Sequence, residues 1–388
     1  MLTGPALAAP ALGAPRAEID AAARVLAGLP PWAPSRFTAA LGEADHWARH
    51  RRWMDRRWDR FDQATVEPLR RWAVTELGGD TPRVVFYPFG GPDILNARLL
   101  FPQATTYLLF GLERIGRLPD ATAPPRAVVH ALVAVRRAAR AQLGLNFFRT
   151  REMHAELAAS AYAGVAGLML LQLVRNGDEI VDAQTGFVAI DGTFAAADPA
   201  PPDRPAALRV RFRAANDSTL RTALFVRGDI SDRAWSSTLG LPHLVLRAGP
   251  VATLVKAASY LLYEPEFDDV RSTILARSTL VVTEGSGVPV HFFEPDRWSR
   301  AAFGKVTRPI KGFARRYCLD DLAAVARGGS SAPLAFSFGY RHRPGTSHVF
   351  VARRKPGWPL MEPTFDRAAR RGIQTRCRAG VTRVVVQR

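Results

Sequence analysis

Lysine is nearly absent from this chain. Only Lys256, Lys305, Lys311 and Lys355 interrupt an otherwise all-arginine set of 53 basic residues. Cysteine is almost as scarce: Cys318 and Cys377 stand far apart, with no CxxC and no metal-ligand spacing. That excludes a disulfide scaffold and a zinc module. Two unrelated thiols are the preferred reading, with one long-loop disulfide as the alternative. No GxSxG, P-loop, HExxH or GxGxxG occurs, and no Ser/His/Asp grouping forms a local motif. His46 and His50 are spaced i,i+4 without a neighbouring Glu or an evident third ligand, so no metal is expected. The one long uncharged run is Leu157 to Val174, diluted by Ser160, Tyr162, Gly164, Gly167 and Gln172. It is read as a helix buried against a sheet, not as a membrane span.

What is present is enough for a large core: 388 residues, 47% of them hydrophobic and 23% charged. With 30 Gly and 29 Pro, a simple helical bundle is disfavoured. The net charge is +18, but arginine bias beside abundant Ala and Pro suggests a GC-rich genome. From Arg353 to Arg388 ten basic and two acidic residues leave +8, so the rest carries only +10. No zinc-finger, RNP or helix-turn-helix signature accompanies this charge, so nucleic acid is disfavoured as partner. A solvated basic surface attracted to anionic envelope material is expected instead.

Residues 1–15, MLTGPALAAPALGAP, are small, apolar and uncharged. Ala6-Leu7-Ala8 and Ala11-Leu12-Gly13 fit the small-x-small pattern of a signal-peptidase site. This stretch is read as the remnant of an export signal, giving a periplasmic or secreted protein. A cytoplasmic Ala/Pro leader is the alternative. Residues 16–77 read as a helical cap in which Leu41, Trp47, Met54, Trp58 and Phe61 recur at helical spacing among arginines. Such a stripe is core, with arginine stems over it, before it is a base-stacking surface.

Residues 78–353 read as an α/β domain. Val84–Tyr87 is a strand, Pro88–Asp93 a Gly-rich turn, Ile94–Leu100 a helix, and Thr106–Leu112 a strand ending at Glu113. Parallel pairing would bring the turn and that acid to one sheet edge. A helix over Ala127–Gln142 and the buried helix of Arg151–Val174 follow. Two hairpins are expected, Phe187–Ile190 with Thr193–Ala196, and Leu208–Phe212 with Thr222–Arg227. His243–Leu246 reads as a strand, Val251–Leu262 and Glu266–Ser278 as helices, Thr279–Thr283 as a strand, and Val288–Phe293 as extended. A closing hairpin pairs Leu334–Tyr340 with His348–Ala352, and residues 354–388 form a basic tail.

The candidate ligand residues are Tyr87, Gly90, Gly91, Asp93, Glu113, Lys256, Tyr260 and Glu284. Asp93 is either the helix N-cap or a ligand group. Glu113 is a strand-end acid. Lys256 is the sole lysine before residue 300, where an ammonium is kept amid arginine bias, with Tyr260 at i+4. Glu284 opens the Glu-Gly-Ser-Gly stretch, a turn or a strand-end ligand loop. Tyr340, Arg341 and His342 form a lesser anion-binding candidate.

This order of elements resembles the Rossmann-like class I methyltransferase arrangement. The resemblance implies a mixed sheet with an N-terminal helical cap and a C-terminal β-hairpin. It also implies a glycine turn that holds the methionine moiety of S-adenosylmethionine and a second-strand acid that holds the ribose hydroxyls. The matching positions are Gly90, Gly91 and Asp93, then Glu113. The turn here reads YPFGGPD instead of acid-x-Gly-x-Gly-x-Gly, with Tyr87 and Phe89 near the place of the first-strand acid. Pro88 and Pro92 each remove a backbone donor. FYPFGGPDILNARLLFP, YLLFGLERIGRLPD and KAASYLLYEPEFDDVRSTILARSTLVVTEGSGVP further resemble a group of uncharacterised bacterial proteins, often with export leaders, across residues 35–353. That resemblance implies one α/β unit with a helical cap and no particular activity.

Three functions are therefore carried forward. The first is an exported or envelope-facing protein with a methyltransferase-like fold, binding an unknown small ligand at the sheet edge. The second is a cytosolic S-adenosylmethionine-dependent methyltransferase with a divergent turn. The third is a polyanion-binding or nucleic-acid-binding module.

Overall fold

A computed structural model describes residues 16–32, 45–79, 81–119, 125–146, 164–238, 240–329, 332–341, 343, 345–363, 374–378 and 381–385. Leu41, residues 1–15, most of the Arg151–Val174 stretch and His342 lie outside them. The chain forms a mixed α/β structure around a ten-stranded mixed sheet.

Among the described residues three helices open it: α1 (Arg16–Leu26), α2 (Asp45–Phe61) and α3 (Glu67–Leu77), the last two joined by a π-helical turn over Asp62–Val66. His50, Met54, Trp58 and Phe61 of α2 are buried at spacings of four, four and three, the inward stripe of an amphipathic helix. Pro68 sits in the first turn of α3, where no N–H is needed. The sheet then begins with β1 (Val84–Tyr87), α4 (Ile94–Leu100) and β2 (Thr106–Gly111). After α5 (Pro125–Leu145) and α6 (Ala166–Arg175) come β3 (Asp178–Val188), β4 (Phe194–Ala196), β5 (Ala206–Ala214) and β6 (Arg221–Arg227). Helices α7 (Asp232–Ser237) and α8 (Gly240–Arg247) lead to β7 (Val251–Val255), and α9 (Asp268–Arg277) to β8 (Ser278–Thr283). β9 (Trp298–Gly304), α10 (Asp320–Arg327) and β10 (His348–Arg354) complete the sheet. In the tail, β11 (Gln374–Arg378) and β12 (Val381–Val385) pair as a separate two-stranded sheet.

The strand order is β4-β3-β5-β6-β2-β1-β7-β8-β10-β9. From β6 to β8 every neighbouring pair is parallel, with Val85 aligned to Tyr107 on one side and to Ala252 on the other. From β1 the chain first moves outward through β2 and β6, then returns and moves the other way through β7 and β8. β10 runs antiparallel to both β8 and β9. The strands alternate between two cores, as a pleated sheet covered on both faces requires. Val85, Tyr87, Tyr107 and Leu109 face a core shared with α1 to α6, and Phe86, Leu108 and Phe110 face one shared with α7 to α9. The N-terminal helices thus share a core with the sheet. Ala166 to Val174 is buried throughout. No helix of the described residues is long and apolar enough to cross a membrane.

The strands β1 and β2, helices α4 and α9, and both expected hairpins form where the sequence places them. Four expectations do not hold. His243–Leu246 lies in α8, not in a strand. Val251–Leu262 is not a helix: its first five residues are the fully buried strand β7, and only Leu261–Tyr263 winds into a 3-10 turn. Short apolar runs of this kind are ambiguous by periodicity, and insertion between β1 and β8 decides the matter. Val290–Phe292 is a 3-10 turn, not extended chain. The closing hairpin is also misdrawn, because Leu334–Tyr340 forms no strand and β10 pairs instead with β8 and β9. β9, with two alanines and no β-branched residue, carries little strand signal in its sequence.

Candidate functional site

In an open α/β sheet, ligands bind beyond the carboxyl ends of the strands, where the strand order reverses. Here that edge lies between β1 and β7. The candidate residues converge there because parallel strands release their loops on one side.

At the end of β1 the turn Pro88–Asp93 reverses sharply, with Phe89 and Gly91 at φ 61° and 53°. Gly91 N–H donates to Phe110 O at 2.9 Å, tying the turn to β2. Asp93 caps α4, accepting from Asn96 N–H at 3.4 Å. The carboxylate does much more than cap. It accepts from Tyr87 Oη at 2.9 Å, from Asn96 Nδ2 at 2.8 and 3.1 Å, and pairs with Lys256 Nζ at 2.8 Å. Lys256 Nζ also donates to Asn146 O at 2.5 Å and lies 5.9 Å from the Phe338 ring centre. Asn146, at the end of α5 with φ 56°, accepts from Asn96 Nδ2 at 2.9 Å and donates to Ser337 O at 3.0 Å.

Lys256 is therefore not on a helix with Tyr260 at i+4. It directly follows β7, and Tyr260 belongs to the loop beyond, where Ala257, Ser259 and Tyr260 all have positive φ. Three L-residues in that region are a local concentration of backbone strain of the kind found at functional edges. Tyr260 stacks on Tyr317 at 4.7 Å. Glu284, just past β8, holds the strained loop. Its Oε1 accepts from Ala257 N–H and its Oε2 from Ser286 N–H, both at 3.0 Å, and the Ser286 hydroxyl also donates to Oε1. Ser286 Oγ accepts from Ala258 N–H at 3.1 Å. The adjacent Gly285 N–H donates to His348 Nε2 at 2.9 Å.

Burial dominates the electrostatics. It raises the Tyr87 phenol well above its usual range, and the neighbouring Asp93 charge adds to that. It lowers the Lys256 ammonium, against the opposing pull of Asp93. It raises the Glu284 carboxyl, against the hydrogen bonds from Ser286 and Ala257. His348 is pushed down to about 4 by burial and is neutral near pH 7.

Glu113 stands on the far side of the turn, buried at 4% exposure. A Cβ placed on Gly91 would lie 3.3 Å from Glu113 Oε2, and one on Gly111 would collide with the same oxygen. A Cβ on Gly90 would lie 2.6 Å from Tyr87 Cγ. The glycine space of this turn is thus filled by the protein's own side chains. Beyond it, an open groove of about 320 Å³ lies past the ends of β2 and β6, lined by Leu112, Pro201, Pro202, Arg204, Arg227 and Asp229.

The structure gathers Tyr87, Asp93 and Lys256 into one cluster, attaches Glu284 through the loop, seats Glu113 against the glycines, and leaves Tyr260 in an aromatic stack. Sequence reading missed Asn96, Asn146, Ser286 and His348. The Asp-x-x-Asn spacing resembles a capping box and marks Asn96. Asparagine just past a helix end is a common left-handed residue and marks Asn146. His348 carries no local signal. Among the described residues, no three His, Cys, Asp or Glu side chains gather to hold a metal. Cys318 is disulfide-bonded, against the reading of two unrelated thiols, and Cys377 is the only other cysteine in the chain. Compared with protein-family models, curated proteins and solved structures, the chain matches none.

Proposed function

We propose that this chain is a small-ligand-binding protein with a methyltransferase-like core that does not transfer methyl groups, working in an oxidising, envelope-facing compartment. The core order β6-β2-β1-β7-β8, closed by a reversed β10, supports the methyltransferase-like part. The observation that carries the rest is the self-filling of the turn. Tyr87 covers Gly90, Glu113 fills the space at Gly91 and Gly111, and Lys256 neutralises Asp93. The residues that would cradle S-adenosylmethionine are committed to one another, so they do not fit that cofactor, and no methyl-transfer step is assigned. The ligand instead occupies the neighbouring groove. At about 320 Å³ this open groove suits a small molecule, with Leu112 and two prolines beside Arg204, Arg227 and Asp229. The disulfide at Cys318 supports the compartment.

The strand order favours one second reading, a cytosolic methyltransferase that opens this turn to bind its cofactor. Calorimetric titration and thermal melting with S-adenosylmethionine separate the two. The expected result is no heat and no shift, while native mass spectrometry of protein from its own host finds a small adduct that is lost in Asp229→Ala. A cofactor-induced stabilisation that disappears in Glu113→Gln would overturn the proposal in favour of the second reading.

A further inference from the structure

Helix α5 carries Arg126, Arg136, Arg137 and Arg140 and not one acidic residue. Arg126, His130, Arg137 and Arg140 recur at helical spacing and are exposed, while Arg136 is half-buried. Helix α2 packs beside it and exposes Arg49, Arg52, Arg56 and Arg60 along a stripe of its own, spaced three, four and four. The two basic stripes meet: Arg136 is destabilised in its charged form first by burial and then by Arg49 and Arg137. The acids of α2 relieve this crowding only in part. Asp55 pairs with Arg175 at 2.8 Å, and Asp59 acts on the same arginine. Asp45 lies at the start of α2, one turn before Arg49. Like charges gathered in excess of their acidic neighbours cost free energy in the isolated protein, and a polyanion recovers it.

We propose that the outer face of the α2–α5 pair docks the protein onto an anionic phospholipid surface. Charge complementarity selects an anion, and the neighbouring groups select a lipid surface over nucleic acid. Single strands need exposed aromatic platforms for their bases. The α2 tryptophans do not provide them, since Trp58 is buried and Trp47 and Trp53 are partly buried against the core. Duplexes are read by a single element entering a groove, whereas two helices side by side present a broad basic face. Arginine stems spread over such a face meet headgroup phosphates by charge alone. This inference is independent of the edge site.

The test is co-sedimentation of the full chain with vesicles of phosphatidylcholine alone or mixed equally with phosphatidylglycerol. Binding is expected only to the mixed vesicles and weakens with added salt. The triple variant Arg49→Glu, Arg137→Glu, Arg140→Glu is expected to lower partitioning by more than roughly 100-fold. The variant Lys305→Glu, Lys311→Glu, Arg315→Glu makes the same charge change at other exposed positions and is expected to stay within roughly threefold of the parent. Should the first variant fail to fold, Arg49→Gln, Arg137→Gln, Arg140→Gln gives a smaller loss in the same direction. Equal losses in both sets, equal binding to neutral vesicles, or patch-dependent binding to RNA without binding to vesicles would each overturn the proposal.

Discussion

Replacing Lys256 with Met probes the buried pair at the carboxyl edge most directly. The two side chains are 1% and 3% exposed, so water cannot stand in for the lost ammonium. Removing one partner of a buried ion pair costs about 3 to 5 kcal/mol, because the other charge remains desolvated. The low end applies here. Asp93 keeps Tyr87 and both Asn96 donors, so its carboxylate is still hydrogen-bonded on each oxygen. Lys256→Met is therefore expected to destabilise by about 3 kcal/mol. Asp93→Asn in the same chain removes the stranded charge, and the double variant is expected to be at least about 1.5 kcal/mol more stable than the sum of the single losses. Guanidinium unfolding followed by tryptophan fluorescence measures all four corners of the cycle. A Lys256→Met cost below about 1 kcal/mol, or strict additivity, would refute the claim that this pair is a coupled, water-free unit.

Acid lability is also expected. Burial holds both His50 and His348 down to about 4 from 6.5, so the unfolded chain takes up their protons first as pH falls. The stability each contributes is complete above about pH 6.5 and is lost by about pH 4, on the order of 3 kcal/mol apiece. Glu284 and Asp178, whose carboxyls burial raises, bind protons more readily when folded and oppose part of that loss. Unfolding free energies measured between pH 7 and pH 4 should flatten by about half in His348→Gln, and an unchanged slope would contradict the assignment. Separately, Gly111→Ala should cost about 1 to 3 kcal/mol by driving a methyl into the Glu113 carboxyl. Pairing it with Glu113→Ala should recover only part of the loss, because the added methyl also lies 2.8 Å from Gly91 Cα, and thermal melts showing no recovery would mean that this backbone contact, not the carboxyl, sets the cost.

The local chemistry of the chain was written in its residues. The run Val84–Tyr87, the break at Pro88 and the acid at Asp93 mark a strand, a turn and a capped helix through side-chain period, lost donors and a carboxylate beside orphan N–H groups. The unusual lysine at position 256 was conspicuous against the arginine background, and the Asp-Gly and Asn-Asp-Ser turns set both hairpins. Only the tertiary structure decided what those pieces meet. Val251–Val255 is a strand because it fills the gap between β1 and β8, and that placement moves Lys256 from a helix to the sheet edge beside Asp93. β9 is a strand because β10 offers it a free ladder of N–H and C=O groups. Glycines that read as a cofactor cradle are filled by Tyr87 and Glu113, one from the turn's own strand and one from the next. Periodicity and turn chemistry act within a few residues and survive in sequence. Pairing partners, desolvation and the occupant of a glycine's missing side chain are set by groups from other strands and helices, so only the packed chain determines them.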